Sequence, residues 1–587
     1  MTEDRPPAGT MHSSRYLQLV QGWAQDSGHR LEEPGKAAPE PMEPIAPPSD
    51  VPTGLPFKPR TFQDWSEYTT VDRVLHHQAD NGTAVAGLCT EIAQNGTWKV
   101  RALGHSHNWS PLIIPAGTPP APPVFLIDTG KLASTSPTTY GHGAGGTFGT
   151  GTTLENATAF LESLDNHGAS PARGYSFLNM PTPGGLTLGG ILAVGGHGTS
   201  LPWSMTEPGL MGCLSNLVVS FKAVVSDPAH PDQHVYTEQS FDRSHPDAPA
   251  FLVHLGRAFI TEVTLAAVPN YYLQLTNLFP DMAAVMAPSA STPNSLASLL
   301  DAHGRVEVIW FPNQPMAWVQ CVTRQDRRID PQVAGPYYDH NWMNSIPKEA
   351  SDIARDKMLQ NPSLVLLTAP VEAVDAWWNM NGYVANGTAR DLEIYLKDTT
   401  LRMHACGYAL HLQRKDVQAA ANEFQGAFQK LLDRYQGQGM YPVNGAVEIR
   451  CTTIDHPGDL QINGAQPPAL AATHSIDGTD SEFDTVLWLD ALTFPGTPSA
   501  WQFFADLENW MITTWHTRWP GRLRPEWSKG WAYTADGPWK NPKVIDWVRK
   551  VYNSSADELT FDWAERTLAN YDSARIFTNS FLDTLFS

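Results

Sequence analysis

The sequence predicts an α+β protein of two domains, and three observations carry that expectation. At 587 residues the chain is too long to fold around one core. Up to about residue 270, short strand-like runs alternate with a few helical patterns. From 271 onward a second set of strands is interleaved with long helical stretches, as expected for an antiparallel sheet backed by helices. The expected layout is an N-terminal extension over 1–56, a first domain over 57–270, a second over 271–520, and a segment over 521–587 that returns to the first.

Each element has its own reason. Residues 1–56 are rich in Pro, Glu and Ala and read as an extended or disordered lead-in. Regular structure is expected to begin near Phe57. WKVRAL alternates as a strand does, and VFLIDTG is a short buried strand stopped by Gly130. FGTGTTLENATAFLESLDNHG reads as strand, turn and helix, with Leu154, Ala157, Phe160 and Leu164 on one face. LSNLVVSFKAVVSD and FITEVTLAAVP are strands. In the second region YYLQLTNLF, RVEVIWFP, GAVEIRCTTI and TVLWLDALTFPG are strands. LVLLTAPVEAVDAW and VQAAANEFQGAFQKLLDRYQ are helices, the latter with Ala420, Phe424, Phe428 and Leu431 aligned. RPEWSKGWAYT follows, and then two helices. No internal repeat is visible.

Composition narrows the function. The balance of 39 basic against 60 acidic residues gives a formal charge of −21, with no long run of one sign. That argues against nucleic acid and anionic membrane as electrostatic partners. Five scattered cysteines, none spaced as CxxC, argue against a disulfide framework or a zinc site. No apolar run is long enough to span a bilayer. The first residues lack the basic-then-apolar plan of a secretory signal, so a cytoplasmic protein is expected, or an exported one whose signal has been removed. Twenty tryptophans allow an aromatic-lined pocket, although most are ordinary core residues by expectation.

Two stretches point to chemistry. Gly104-His105-Ser106-His107-Asn108 follows an apolar strand. PTPGGLTLGGILAVGGHGTS packs seven glycines into 184–198. Bare backbone N–H groups approach a pyrophosphate only where side chains are missing. The stretch does not match the Rossmann fingerprint or the triphosphate loop. Its bland reading is a packing loop. The polar groups of Gly195-Gly196-His197-Gly198-Thr199 favour gripping phosphate oxygens. His105 and His107 share a strand face and so could hold a metal, but no third ligand is evident. A satisfied structural histidine is the ordinary alternative. A third reading is attachment to the 8α-methyl carbon of a flavin. That needs a neutral imidazole, which an unperturbed pKa of about 6.5 supplies.

GHS after an apolar strand, LTLGGILAVGGHGT and GRAFITEVTL together resemble the flavin domain of the vanillyl-alcohol oxidase superfamily. RALGHSHNWSPL, GGHGTS, GRVEVIWFP, AVEIRCTTIDHP, LTFPGTP and RPEWSKGW resemble the type II, covalent-flavin cholesterol oxidases, from about 57 to about 535. Sugar-alcohol oxidases are less similar. The resemblance implies FAD linked through His105, with His107 as second choice. It implies a phosphate loop drawn from Pro183, Gly184, Gly185, Thr187, Gly189, Gly190, Gly195, His197, Gly198 and Thr199. The adenine-side strand maps onto Phe259 and Ile260.

The same resemblance assigns Glu448 and Arg450 to the reaction. On a strand, i and i+2 share a face. On residue type alone they read as a surface ion pair. As family members they read as a proton acceptor and a group that stabilises the alkoxide or reduced flavin, with a swing that opens an oxygen path. Glu307, otherwise a residue on the solvent face of an edge strand, becomes a proton relay, including any isomerisation of a steroid double bond. Lys529, otherwise a surface lysine, becomes a flavin-side cation. Asp490 reads as a strand-end polar residue. The implied reaction oxidises a secondary alcohol, first of all a 3β-hydroxysterol, with hydride going to flavin N5 and dioxygen reduced to hydrogen peroxide. A polyol is the alternative substrate. A flavin-free protein binding an apolar ligand is the alternative of another class.

Overall fold

The structure is a computed structural model. It describes residues 15–27, 55–96, 98–115, 124–141, 143–202, 211–336, 338, 341–346, 349–397, 400, 402–475, 482–519 and 523–587. Three sheets organise the described residues. The first holds β1 (Lys58–Gln63), β2 (Thr70–Gln78), β3 (Lys99–Leu103) and β4 (Val124–Asp128), in the order β1-β2-β4-β3. Its β2–β4 and β4–β3 pairs are parallel. The second holds β5 (Thr135–Tyr140), β6 (Gly143–Gly149), β7 (Tyr175–Ser176), β8 (Val218–Ser226), β9 (Tyr236–Asp242) and β10 (Phe259–Pro269). Its order is β5-β6-β10-β8-β9, with β7 on the end of β10.

The third sheet holds β11 (Tyr272–Leu278), β12 (Arg305–Trp310), β13 (Ala317–Gln325), β14 (Val384–Thr388), β15 (His404–Leu412), β16 (Val447–Thr453), β17 (Thr485–Thr493) and β18 (Leu523–Pro525). Its order is β14-β11-β13-β12-β16-β17-β15-β18, antiparallel throughout. Every residue of β12, β15 and β17 is buried. These strands lie inside the sheet and are covered on both faces, which explains their nearly unbroken apolar runs. The mixed helices and antiparallel sheets match the predicted α+β class, and the chain forms two domains.

The helices carry local corrections. In Leu154–Ser163 the buried face is Leu154, Ala157, Thr158 and Leu161, with Phe160 half-buried and Leu164 beyond the end as C-cap. In Val417–Gln436, Leu432 takes the inward place expected of Leu431. Three helices, not two, close the chain: Pro542–Asn553, Phe561–Asn570 and Ser580–Leu585. This tail packs back on the first sheets. Ile576 and Phe577 join the cluster of Leu75, Phe125 and Phe259, and Asn579 Nδ2 donates to the carbonyls of Pro111, Leu112 and Ile113 at 3.1, 3.1 and 3.2 Å.

The lead-in is not wholly extended. Residues Arg15–Ser27 form a helix that packs on the helices Glu349–Gln360 and Val365–Met380 of the second region, with Val20 and Ala24 buried. Apolar spacing inside a Pro-rich segment was enough to nucleate it once a partner surface existed. The other residues of that expectation, 1–14 and 28–54, lie outside the described residues. The five cysteines are buried and unpaired.

Candidate active site

A cavity of about 290 Å³ lies between the first two sheets and the third. One wall is the turn after β3. Gly104, His105, Ser106, His107 and Asn108 all line it. Ser106 takes a left-handed φ of 58°, and its carbonyl accepts from Trp65 N and Asn108 N, each at 2.9 Å. A Cβ on Gly104 would stand 2.2 Å from Thr187 Oγ1. The missing side chain at Gly104 therefore lets this turn close against the glycine-rich loop.

That loop forms the second wall. Pro183, Thr187, Gly189, Gly190 and His197 line the cavity, as does Ile260 on β10. The remaining predicted loop residues do not. Gly184 and Gly185 lie outside the lining, and the Gly184 carbonyl instead accepts from Glu155 N at 3.0 Å. Gly195 has φ 67° and turns the chain beside Val253. A Cβ on Gly198 would meet the Met180 carbonyl at 2.1 Å, so that glycine serves packing. Thr199 faces a separate cavity of about 40 Å³ shared with Glu307 and Tyr395. The loop is thus partly a ligand cradle and partly a packing loop. Gly196, which lines the cavity, takes the place expected of Gly195.

The residues present fit a flavin dinucleotide. Gly189 and Gly190 line the cavity, Gly190 as an exposed glycine and Gly189 with its N–H donated to the Thr150 carbonyl at 2.9 Å. Asn108 Oδ1 and Ser110 Oγ are buried in its lining with no hydrogen-bond partner among the described residues. Orphaned polar atoms in a cavity lining beside an exposed glycine are what a polar cofactor satisfies. His105 and His107 both line the cavity; His105 is exposed, and His107 is half-buried and stacked on Trp65 with ring centroids 4.3 Å apart. Among the described residues no cluster of three or more His, Cys, Asp or Glu is placed to hold a metal.

The third wall is one face of the eight-stranded sheet, and its register explains its chemistry. Glu307 on β12 pairs across with Arg450 on β16, which pairs with Trp488 on β17. One row on, Ile309 pairs with Glu448 and Glu448 with Asp490. Directly opposed residues of an antiparallel pair share a face. Two adjacent rows therefore bring Glu307, Glu448, Arg450 and Asp490 together. Arg450 hydrogen-bonds to Asp490 and lies 3.8 Å from Glu448 and 3.9 Å from Glu307. Asp490 next pairs with Gly407 on β15. A Cβ there would stand 2.8 Å from the Lys529 side chain, so the bare position admits Lys529. Lys529 Nζ sits 4.0 Å from the centre of the Trp109 ring.

Charge is crowded here. Burial pushes the Glu448 carboxyl up to about 7; Arg450 pulls it down, and Glu307 and Asp490 push it further up. Burial likewise raises Asp490. Burial alone would lower Arg450, but Asp490, Glu448, Glu307 and Glu526 hold its guanidinium protonated. Glu526 is the opposite case: burial is outweighed by Lys529, His197 and Arg450, and its carboxyl is held low. Burial and the neighbouring Glu307 raise the Tyr395 phenol, which donates to Glu307. His197 is stacked on Trp488 at 3.5 Å, donates Nδ1–H to the Gly198 carbonyl at 3.0 Å and turns Nε2 toward Glu526 at 3.9 Å.

Glu307, Glu448, Arg450 and Lys529 all line the cavity. The ordinary readings of Glu307 and Glu448 as solvent-facing fail because β12 and β16 are inner strands. The expectation for Asp490 is overturned: it is mid-strand, fully buried and paired with Arg450. Tyr395 and Glu526 were missed. Tyr395 sits in a loop with no motif, while Glu526 lies in the RPEWSKGW stretch, three residues before Lys529.

Comparison with known proteins agrees with this geometry. The family described as cholesterol oxidase, substrate-binding, matches residues 277–587. A solved structure of a solvent-stable cholesterol oxidase superposes with TM-score 0.83 at 33% identity, covering 92% of this chain and 100% of that one. Cholesterol oxidase from B. sterolicum gives TM-score 0.84 at 27% identity, covering 93% and 100%. A histidine-to-alanine variant of the Brevibacterium sterolicum enzyme gives 0.82 at 27% identity, with the same coverage. No curated protein matches by sequence. With its substrate-binding half matched by the family and nearly its whole length matched by solved members, the chain belongs to the cholesterol oxidases.

Proposed function

We propose that this protein oxidises the 3β-hydroxyl of a sterol to a ketone, with FAD tethered through His105. The observation that carries the reading is the set of Glu307, Glu448 and Arg450, backed by buried Asp490, facing a cavity whose other walls hold the glycine-rich loop and His105. When bound, FAD supplies the two-electron acceptor, taking hydride from the carbinol carbon and passing the electron pair to dioxygen to give hydrogen peroxide.

The protein's own residues do the rest. Glu448, poised near neutrality, takes the hydroxyl proton as the C–H bond breaks. Arg450, held protonated by its carboxylate neighbours, stabilises the negative charge left on oxygen. Asp490 and Gly407 fix that arrangement from beneath, the first by pairing with Arg450 and the second by leaving room for Lys529. Glu307 lines both cavities and accepts from Tyr395. It is thereby placed to relay protons, including those of a double-bond shift in the product. His105 is favoured as the tether because it is the more exposed of the two histidines in the cavity lining and is the histidine of the GHS triplet.

The test is a peroxide-release screen with sterols and polyols, run beside acid precipitation of the protein. Peroxide from sterols and a yellow pellet are expected. Peroxide from polyols alone overturns the substrate. A white pellet over a yellow supernatant overturns the tether but leaves the oxidase reading standing.

A further inference from the structure

The chain has 15 methionines, and among the described residues two of them, Met343 and Met403, line the reaction cavity. Both are half-buried. They share the cavity's aliphatic portion with Leu186, Ile309, Leu396 and Leu492. Both are also held in place. Met343 sits in the turn Trp342–Ser345, where its N–H donates to Asn341 Oδ1 at 3.0 Å and its carbonyl accepts from the Thr400 hydroxyl at 3.4 Å. The Met403 carbonyl accepts from Trp109 Nε1. A Cβ on Gly445 would stand 2.5 Å from the Met403 methyl, so that bare position seats the end of the side chain.

The remaining methionines supply a contrast. Met316 and Met440 are half-buried too, but neither lines the cavity. The other described methionines are buried in the core. Among the described residues no cysteine lines the cavity. A thioether packs as an apolar group, yet peroxide oxidises it. Met343 and Met403 therefore place oxidisable sulfur on the wall of the space in which peroxide is made.

We propose that Met343 and Met403 are oxidised by the enzyme's own product, and that their conversion to sulfoxide turns down sterol binding. The inference rests on the proposed function, which supplies the hydrogen peroxide. A sulfur lone pair attacks one peroxide oxygen as the O–O bond breaks. That oxygen stays on sulfur, and its proton leaves with the second oxygen as water. Sulfur loses two electrons and the peroxide gains them. The wall is then polar where it was apolar. A sterol that settles against it strips water from the sulfoxide oxygen and returns no hydrogen bond, so binding weakens. Glu448 and Arg450 are untouched, so the loss falls on KM and not on kcat. A methionine sulfoxide reductase reverses the change.

The test is peptide mass spectrometry of the holoenzyme after prolonged turnover of cholesterol with catalase present. Catalase clears peroxide from bulk solvent and leaves oxidation inside the cavity. Sulfoxide at Met343 and Met403 is expected at about five times its fraction at Met316 and Met440. The KM for cholesterol should rise about tenfold over the same turnovers, with kcat nearly kept. M343L/M403L keeps the volume and removes the sulfur, so it should hold whatever KM it starts with. Oxidation at Met316 and Met440 to the same extent, or none at Met343 and Met403, overturns the proposal. Sulfoxide without a drift in KM, or the same drift in M343L/M403L, overturns the effect on binding. If no sterol or polyol yields peroxide, the proposed function falls and this inference with it. Peroxide release with both sulfurs intact removes the inference alone.

Discussion

The two walls of the reaction cavity are made on opposite plans. The wall of 104–108 and 183–197 works by omission: side chains are absent at Gly104, Gly189 and Gly190, and backbone stands against the ligand space. The wall of β12, β16 and β17 works by accumulation, with three carboxylates around one guanidinium on adjacent sheet rows. The first is sensitive above all to volume. The second is sensitive to charge and tolerates little rearrangement, because each member holds its neighbour's protonation state. Binding and proton transfer can therefore be damaged separately.

Glu448→Gln should break the second wall most severely. The rate of flavin reduction is expected to fall about 100- to 10,000-fold with the flavin still bound, read by stopped-flow absorbance. Reduction at the wild-type rate would remove Glu448 as the proton acceptor. Asp490→Leu should follow, at about 3 kcal/mol of stability, because a buried guanidinium loses its closest partner. Thermal unfolding measures this, and an unchanged Tm would mean that Glu307 and Glu448 suffice to hold Arg450.

Gly104→Ala attacks the first wall. The added methyl meets Thr187 Oγ1 at 2.2 Å, at a cost of about 1–2 kcal/mol. The expected signature is poorer flavin retention, measured by the visible-to-ultraviolet absorbance ratio, with an unaltered pH profile in the flavin that remains. A shifted pH profile would show that the two walls are coupled.

The gentlest probe is pH. As a base, Glu448 acts only when ionised, so flavin reduction should fall about tenfold per pH unit below about 7. Stability moves the other way. The carboxyl's folded value is raised above its ordinary 4.5, so the native state binds the extra proton, and this contribution grows as pH drops from above 7 toward 4.5. Glu508, raised to about 7 chiefly by burial, and Asp64, also about 7 by burial, add slopes of the same sign. E448Q should lose the kinetic limb and part of the stability slope. A kinetic limb that survives in E448Q belongs to another group.

The two walls also differed in how far the sequence disclosed them. Glycine density and the histidine turn are local signals, and they marked the first wall, though not which glycines face inward. Gly184, Gly195 and Gly198 have the same sequence character as Gly189 and Gly190 but lie outside the cavity lining. The strands of the second wall were legible, and its sheet order was not. Whether Glu307 sits on an edge or an inner strand depends on β13 and β16 flanking β12, and β16 comes from far along the chain. Family resemblance supplied what periodicity could not for Glu448, Arg450 and Lys529. Asp490 was misjudged because its role is set by the residue across the ladder, and Tyr395 because a loop residue's neighbours leave no periodic trace.

The helix Arg15–Ser27 has a consequence for how the molecule is made. Its seat is the pair of helices spanning 349–380, in the opposite half of the protein from the strands that follow it. During synthesis the helix leaves the ribosome long before its seat does, and it finds no mate until 349–380 has been translated. Its docking is thus a late clasp that ties the segment ahead of β1 to the substrate half, after the first two sheets have had time to form.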